Sequence, residues 1–110
     1  MARARRFSVR LLNVTAHLLR DPVFPRRVVE QLASAGTAIG NNIAEAQTAT
    51  SRKQMACAYA IALREAKEAR HELEVIRDLR KGDAAEVQWL IGEADEFTAI
   101  LYVSVRNLRR

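Results

Sequence analysis

The chain has 110 residues, which fits one domain, and a formal net charge of +5 at pH 7. Four glycines and two prolines are too few turn residues for an all-β protein, and the single cysteine excludes an internal disulfide. No stretch approaches the roughly 18 apolar residues of a membrane-spanning helix, and no apolar signal-peptide region follows the basic start. We expect a small helical protein of the cytoplasm.

The first two predicted helices cover about residues 6–20 and 25–48. The first ends before Pro22, because proline disfavours helical conformation in the residue that precedes it. On the second, Gly36 and Gly40 lie four residues apart, and small residues at that spacing let another helix approach closely. The apolar positions assigned to the core are Phe7, Leu11, Val14, Leu18, Val28 or Val29, Leu32, Ala35, Ile39 and Ile43.

Capping boxes mark the starts of the last two predicted helices. Ser51 with Gln54 begins the third, and Asp83 with Glu86 begins the fourth. Gly82 is the expected left-handed residue that ends the third helix. The predicted ranges are about 51–81 and 83–109. Their core positions are Met55, Tyr59, Ala62, Ala66, Ala69, Leu73, Ile76, Val87, Leu90, Ala94, Phe97, Leu101, Val105 and Leu108.

Short connections between long helices favour antiparallel neighbours. The sequence therefore predicts a single all-α domain over residues 1–110, folded as an antiparallel up-down-up-down four-helix bundle. The regular apolar spacing of four and three along the third helix is typical of helices that pack nearly parallel to one another.

The sequence offers little for catalysis. Glu68 and His71 have the Glu-x-x-His spacing of di-iron bundles, but such sites need a second motif and two more carboxylates. The only other histidine, His17, has Val14 three residues before it. Cys57 is interpreted as a small buried apolar side chain, since nothing places a base beside it. We therefore predict no enzyme activity, no metal and no cofactor.

Positive charge is concentrated in the first half of the chain. Residues 1–55 carry nine Lys and Arg against three acids, a net charge of +6, whereas residues 56–110 carry nine against ten, a net charge of −1. In an up-down-up-down bundle, one end gathers the starts of the first and third helices and the ends of the second and fourth. The cations expected there, as candidate nucleic-acid-binding residues, are Arg3, Arg5, Arg6, Arg10, Arg52, Lys53, Arg106, Arg109 and Arg110.

This predicted basic end has two interpretations. Cations near a helix C-terminus are stabilising, which accounts for the three arginines that end the chain, whereas cations near a helix N-terminus are mildly unfavourable. The unfavourable ones are Arg3, Arg5, Arg6, Arg52 and Lys53. Binding of RNA or DNA through its phosphates would offset that cost and would depend strongly on salt. The alternative is a solvated charged rim that aids solubility.

Residues between Phe24 and Asp78 resemble a known family. The resemblance rests on Phe24-Pro25, Gln31-Leu32, Ile39-Gly40-Asn41-Asn42-Ile43-Ala44-Glu45, Ser51, Lys53, Ile61-Ala62-Leu63 and Glu68. The chain is similar to the four-helix bundle (S23-like) proteins encoded in intervening sequences of bacterial 23S ribosomal RNA genes. The accessory variability determinant of diversity-generating retroelements belongs to the same group. The resemblance implies a homopentamer and, for the retroelement relatives, binding of nucleic acid and of a reverse transcriptase.

Asn41, Asn42, Glu45 and Glu68 are marked by the resemblance as family motif residues with a structural or interface role. The first three are expected to be half buried beside apolar positions, where polar groups need partners on a neighbouring helix or subunit. The leading hypothesis is a pentameric scaffold that binds RNA or DNA, with a reverse transcriptase as a further partner. The alternative is a structural or protein-interaction bundle without nucleic-acid binding.

Overall fold

The computed structural model describes residues 2–110 and places them in four antiparallel α-helices with no β-strand in that range. Their bounds are α1 Ala2–Leu18, α2 Arg26–Gln47, α3 Arg52–Asp78 and α4 Ala84–Leu108. α1 and α3 each pack against both α2 and α4, while the backbones of helices at opposite corners do not approach each other closely. The predicted all-α four-helix architecture is confirmed. None of these helices is long and apolar enough to cross a bilayer.

The core is built from the apolar faces that the helical period predicts. Every core position named from the sequence is buried or half buried, and large side chains such as Leu32 and Ile76 are fully enclosed. Phe7 and Phe97 meet edge to face with ring centroids 5.5 Å apart, which is a favoured aromatic geometry. The small alanines of α3 bring that helix close to its neighbours.

Both predicted N-caps form. The Ser51 hydroxyl accepts from the Gln54 N–H at 3.1 Å, and the Asp83 carboxylate accepts from the Glu86 N–H at 2.9 Å. Gly82 is left-handed with φ 71°, as predicted. However, the left-handed residue that directly follows the cap of α3 is Arg80, with φ 57°.

Helix α1 differs most from its prediction, because it begins at Ala2 instead of about residue 6. Ala4 is buried against α2 and Arg3 bonds to α4, so tertiary contacts hold the first turn in helical conformation. With 17 residues, α1 is also the shortest of the four helices. Arg3 bonds Glu96, and α4 continues for about 18 Å beyond that residue at 1.5 Å per residue. The end of the bundle that contains the C-termini of α2 and α4 is therefore built from α2, α3 and α4 alone.

Close approach occurs at one of the two glycines on the α2 stripe. A Cβ atom on Gly36 would lie 2.6 Å from a methyl carbon of Leu11, which is fully buried. A Cβ atom on Gly40 would meet the Cβ of Ala4 at an ordinary 3.6 Å. The prediction of tight packing therefore holds at Gly36 and not at Gly40.

Candidate nucleic-acid interface

Arg3 is bound to two carboxylates of α4. Its Nε donates to Glu93 at 3.0 Å, and its Nη2 donates to Glu93 and to Glu96, each at 2.8 Å. The guanidinium also lies 5.5 Å from the centroid of the Phe97 ring. These contacts raise the pKa of Arg3 and hold the pKa of the Glu93 carboxyl below its usual value. Arg3 is thus committed to the α1–α4 interface.

Arg10 is committed to the same interface. Its Nε and Nη2 donate to the two oxygens of Glu86 at 2.6 and 2.8 Å, which is a bidentate pair. Its guanidinium stacks 3.5 Å from the centroid of the Trp89 ring. The hydrogen bonds from Arg10 lower the pKa of the Glu86 carboxyl.

The prediction that all nine cations gather at one end of the bundle is therefore wrong, because Arg3 and Arg10 lie elsewhere. Glu86 lies in the first turn of α4, so its partner Arg10 is about 30 Å along the bundle from Arg106. Arg3, level with Glu96, is about 15 Å from Arg106 by the same rise per residue. The physical reason is that α1 is short and starts beside the middle of α4.

The other two arginines of α1 in the predicted cluster are Arg5 and Arg6. Arg5 and Arg6 are exposed and form no ion pair within residues 2–110. Arg5 lines a shallow depression of about 270 Å³ between α1 and α2. These two side chains lie on the flank of the bundle and not at its end.

Five of the nine predicted cations do come together, and we call this group the basic end. It consists of Arg52, Lys53, Arg106, Arg109 and Arg110. Four of them line a cavity of about 440 Å³ between the start of α3 and the end of α4, and no Asp or Glu side chain contributes to its lining. Arg106, the fifth, lies one turn back with its guanidinium 5.9 Å from the Tyr102 ring centroid.

Arg52 joins the two helix ends that form this cavity. Its Nε donates to the Leu108 carbonyl at 2.9 Å and its Nη2 donates to the Asn107 carbonyl at 2.8 Å. Carbonyls at a helix C-terminus lack intrahelical partners and carry partial negative charge, so Arg52 caps α4. The basic end is therefore held by a defined contact between α3 and α4.

A second and larger cavity, which we call the polar cavity, adjoins the basic end. Its volume is about 890 Å³, and it lies where the end of α2, the following turn and the start of α3 meet. Its lining is Asn41, Asn42, Glu45, Thr48, Ala49, Thr50, Ser51, Lys53, Gln54, Cys57, Ala58 and Ile61. Lys53 and Cys57 line both cavities.

The motif residues in the polar cavity do not bond to a neighbouring helix, and Asn41 and Glu45 are exposed where half burial was predicted. The Asn42 amide donates to the Ala38 carbonyl of its own helix at 2.8 Å, whereas Asn41 and Glu45 have no side-chain hydrogen bond within residues 2–110. Cys57 is exposed, so its interpretation as a buried apolar side chain is wrong. It faces outward because the buried positions of that turn belong to Ala56 and Ala58.

An acidic groove between α2 and α3 was not recognised from the sequence. Glu65, Glu68 and Glu72 line it at spacings of three and four, opposite Gln31 and Ser34. Burial, reinforced by the neighbouring carboxylates, raises the pKa of Glu65 and of Glu72. The spacing of the three acids was the available signal. Residues 2–110 contain no cluster of three or more side chains placed to hold a metal ion.

A stripe of exposed apolar residues on α1, called here the α1 stripe, was also missed. It consists of Val9, Leu12, Ala16 and Leu19, at spacings of three and four. Val9 is 54% exposed, although α1 buries a different face against the bundle. An exposed apolar face at helical spacing is typical of a surface that packs against another helix.

Known proteins are similar to this chain both in sequence and in fold. The model of the 23S rRNA-intervening sequence protein family matches residues 1–103. The chain belongs to this family. Among solved structures, it is similar to a protein of unknown function from the S23 ribosomal protein family of Bacteroides thetaiotaomicron. The two are 26% identical, the TM-score is 0.85, and the match covers 94% of this chain and 95% of the other. No curated protein matches the chain in sequence.

Proposed function

We propose that this protein is a non-catalytic homopentamer of the bacterial cytoplasm that binds RNA or DNA through the phosphates, using the basic end. The observation that carries the proposal is a cavity lined by four cations and by no acidic side chain. Phosphate groups would supply the negative charge that is missing beside these cations. Binding of the cations to phosphates releases counterions from the nucleic acid.

The position of Lys53 supports this choice. It lies in the first turn of α3, where the helix dipole disfavours a cation by a few tenths to about 1 kcal/mol. Arg52 offsets that cost through the carbonyls of α4, but Lys53 has no hydrogen bond or ion pair within residues 2–110. A phosphate between Lys53 and Arg109 would compensate both side chains.

Self-association is supported by the α1 stripe. Its apolar residues gain free energy when they leave water, at about 25 cal/mol per Å² of buried apolar surface. A ring of five copies would also present five basic ends to one nucleic acid, which increases the overall affinity without new contacts. Mass measurement of wild type and of Leu12→Glu tests this part, because a buried charge at the stripe should give monomers.

The alternative function is a structural or protein-interaction bundle. The acidic groove, with three clustered carboxylates and an unbonded oxygen on Glu72, favours a cationic protein surface as the partner. A reverse transcriptase is the partner that the family resemblance suggests. In that case the basic end would serve solubility, and its variants would leave function unchanged.

The experiment compares two charge-matched triple variants. The first is Lys53→Gln, Arg109→Gln and Arg110→Gln at the basic end; the control is Arg20→Gln, Arg27→Gln and Arg80→Gln near the other end. Binding of a labelled structured RNA is measured by fluorescence anisotropy from 50 to 300 mM salt. We expect the first variant alone to reduce the slope of log affinity against log salt, by about two to three per bound chain. Equal slopes for both variants would contradict the proposal.

A further inference from the structure

We propose that the polar cavity holds one unpaired nucleotide base that carries an exocyclic amino group, while the basic end holds the adjoining phosphate. This inference rests on the proposed nucleic-acid binding and adds to it a site that discriminates between bases.

The two cavities are contiguous, so one nucleotide can occupy both. Lys53 and Cys57 line both, so a strand with a phosphate at the basic end has its neighbouring base beside Lys53. Glu45 lies in the polar cavity and not in the basic one, and its negative charge disfavours a phosphate there. The charge distribution therefore directs phosphate to one side of Lys53 and an uncharged group to the other.

The second reason is a set of uncommitted polar groups. Four of the polar side chains that line the polar cavity already serve the turn. Thr48 donates to the Ala44 carbonyl, Thr50 donates to Gln54, and Ser51 caps α3. Asn41 and Glu45 have no such bond within residues 2–110, and Asn42 keeps its amide oxygen free. One carboxylate and two amide groups thus remain available for a ligand.

The chemistry of these groups selects the ligand. A carboxylate only accepts hydrogen bonds, so Glu45 requires a donor, and the exocyclic amino groups of cytosine, adenine and guanine are donors. Uracil has no amino group. The amide of Asn41 can serve the ring nitrogen or carbonyl beside that amino group, and Ile61 and Ala58 offer apolar contact to the base face. A volume of about 890 Å³ is sufficient for one nucleotide.

The decisive comparison uses nine-residue oligocytidylate and oligouridylate, whose bases differ at the amino group and the adjoining ring nitrogen. Affinities are measured by fluorescence anisotropy at 50 mM salt. We expect wild type to bind the cytidylate at least about fivefold more tightly than the uridylate. In Glu45→Gln the new amide both donates and accepts, so this preference should fall below twofold.

The matched control is Glu74→Gln, on the part of α3 that lines neither cavity. It adds the same unit of net charge, so it should raise both affinities slightly and keep the preference for cytidylate. Equal binding of the two oligonucleotides by wild type would overturn the inference. If the basic-end variants still lost affinity, the proposed function would stand; if wild type bound neither oligonucleotide nor structured RNA, both would fall.

Cys57 provides a second measurement, because it is the only cysteine and lies at the junction of the cavities. Its alkylation by a maleimide should be fast in free protein and slowed several-fold by oligocytidylate, with less protection by oligouridylate. Protection of Cys57 in oligomeric protein that is free of nucleic acid would show that a neighbouring copy covers the cavity. That result would overturn the inference.

Discussion

The α1–α4 interface and the basic end use the same type of residue in opposite ways. At the interface, Arg3 and Arg10 each form a bidentate pair with a glutamate of α4 and lie against an aromatic ring. At the basic end, the cations face one another, solvent and the backbone carbonyls of α4. A paired guanidinium contributes to folding, whereas an unpaired one keeps its charge for a partner. Counting arginines along the chain does not separate the two uses.

The strongest test of this comparison reverses the charge of the basic end. In the triple variant Lys53→Glu, Arg109→Glu and Arg110→Glu, we expect affinity for RNA at 50 mM salt to fall about 100-fold or more. The thermal midpoint should stay within a few degrees of that of wild type, since these side chains form no ion pair within residues 2–110. Glutamate is unfavourable at the end of α4 but favourable in the first turn of α3, so the two helix-dipole effects partly cancel. Anisotropy and thermal unfolding check the two outcomes. A large fall in the midpoint would show that the basic end stabilises the fold.

The next test concerns the contact between α1 and α2, where Leu11 packs closely against Gly36. Gly36→Val should destabilise the protein by about 1–3 kcal/mol, because its side chain would overlap the buried Leu11. Gly92→Ala is the control: it has open space around its Cβ position and should stabilise α4 by up to about 1 kcal/mol. Urea unfolding measures both. Equal effects would mean that close packing at Gly36 does not hold α1.

A smaller effect is expected when the interface arginines are removed. Arg3→Ala with Arg10→Ala should lower the thermal midpoint by a few degrees, because Glu86 and Glu93 lose their hydrogen-bonded partners. RNA affinity should change less than twofold. The control, Arg5→Ala with Arg6→Ala, removes the same charge from the same helix and should leave the midpoint unchanged. If the control lowered it equally, the specific pairs would not be the cause.

The smallest effect is a dependence on pH. The pKa values of Glu86 and Glu93 are lowered in the folded protein, so their contribution to stability is present above the unfolded value of 4.5. It is lost as pH falls below 4.5 through the lowered pKa values. Thermal midpoints measured from pH 7 to pH 3 should therefore fall less in Arg3→Ala with Arg10→Ala than in wild type. Parallel curves would exclude these pairs as the source.

The candidate site was only partly predictable. The joining of Arg52 and Lys53 to the end of α4 follows from alternating helix direction, which the sequence indicated through its caps and short turns. The cavities did not follow, because each is formed between two helix ends. The polar cavity lies between the end of α2 and the start of α3, and the other lies between the start of α3 and the end of α4. The exposure of Cys57 was missed because one helical residue of rotation decides whether a small side chain faces the core or solvent.

The sequence by itself determined the four helices, the N-caps of α3 and α4, the apolar faces and the family, because helical period and capping are local properties of neighbouring residues. Tertiary structure alone decided which arginines are paired and which are free. The pairing of Arg3 and Arg10 depends on where α1 lies along α4, and the packing of buried side chains such as Leu11 and Phe7 fixes that position. No local pattern carries that register, since it is a property of two helices more than 70 residues apart in the chain.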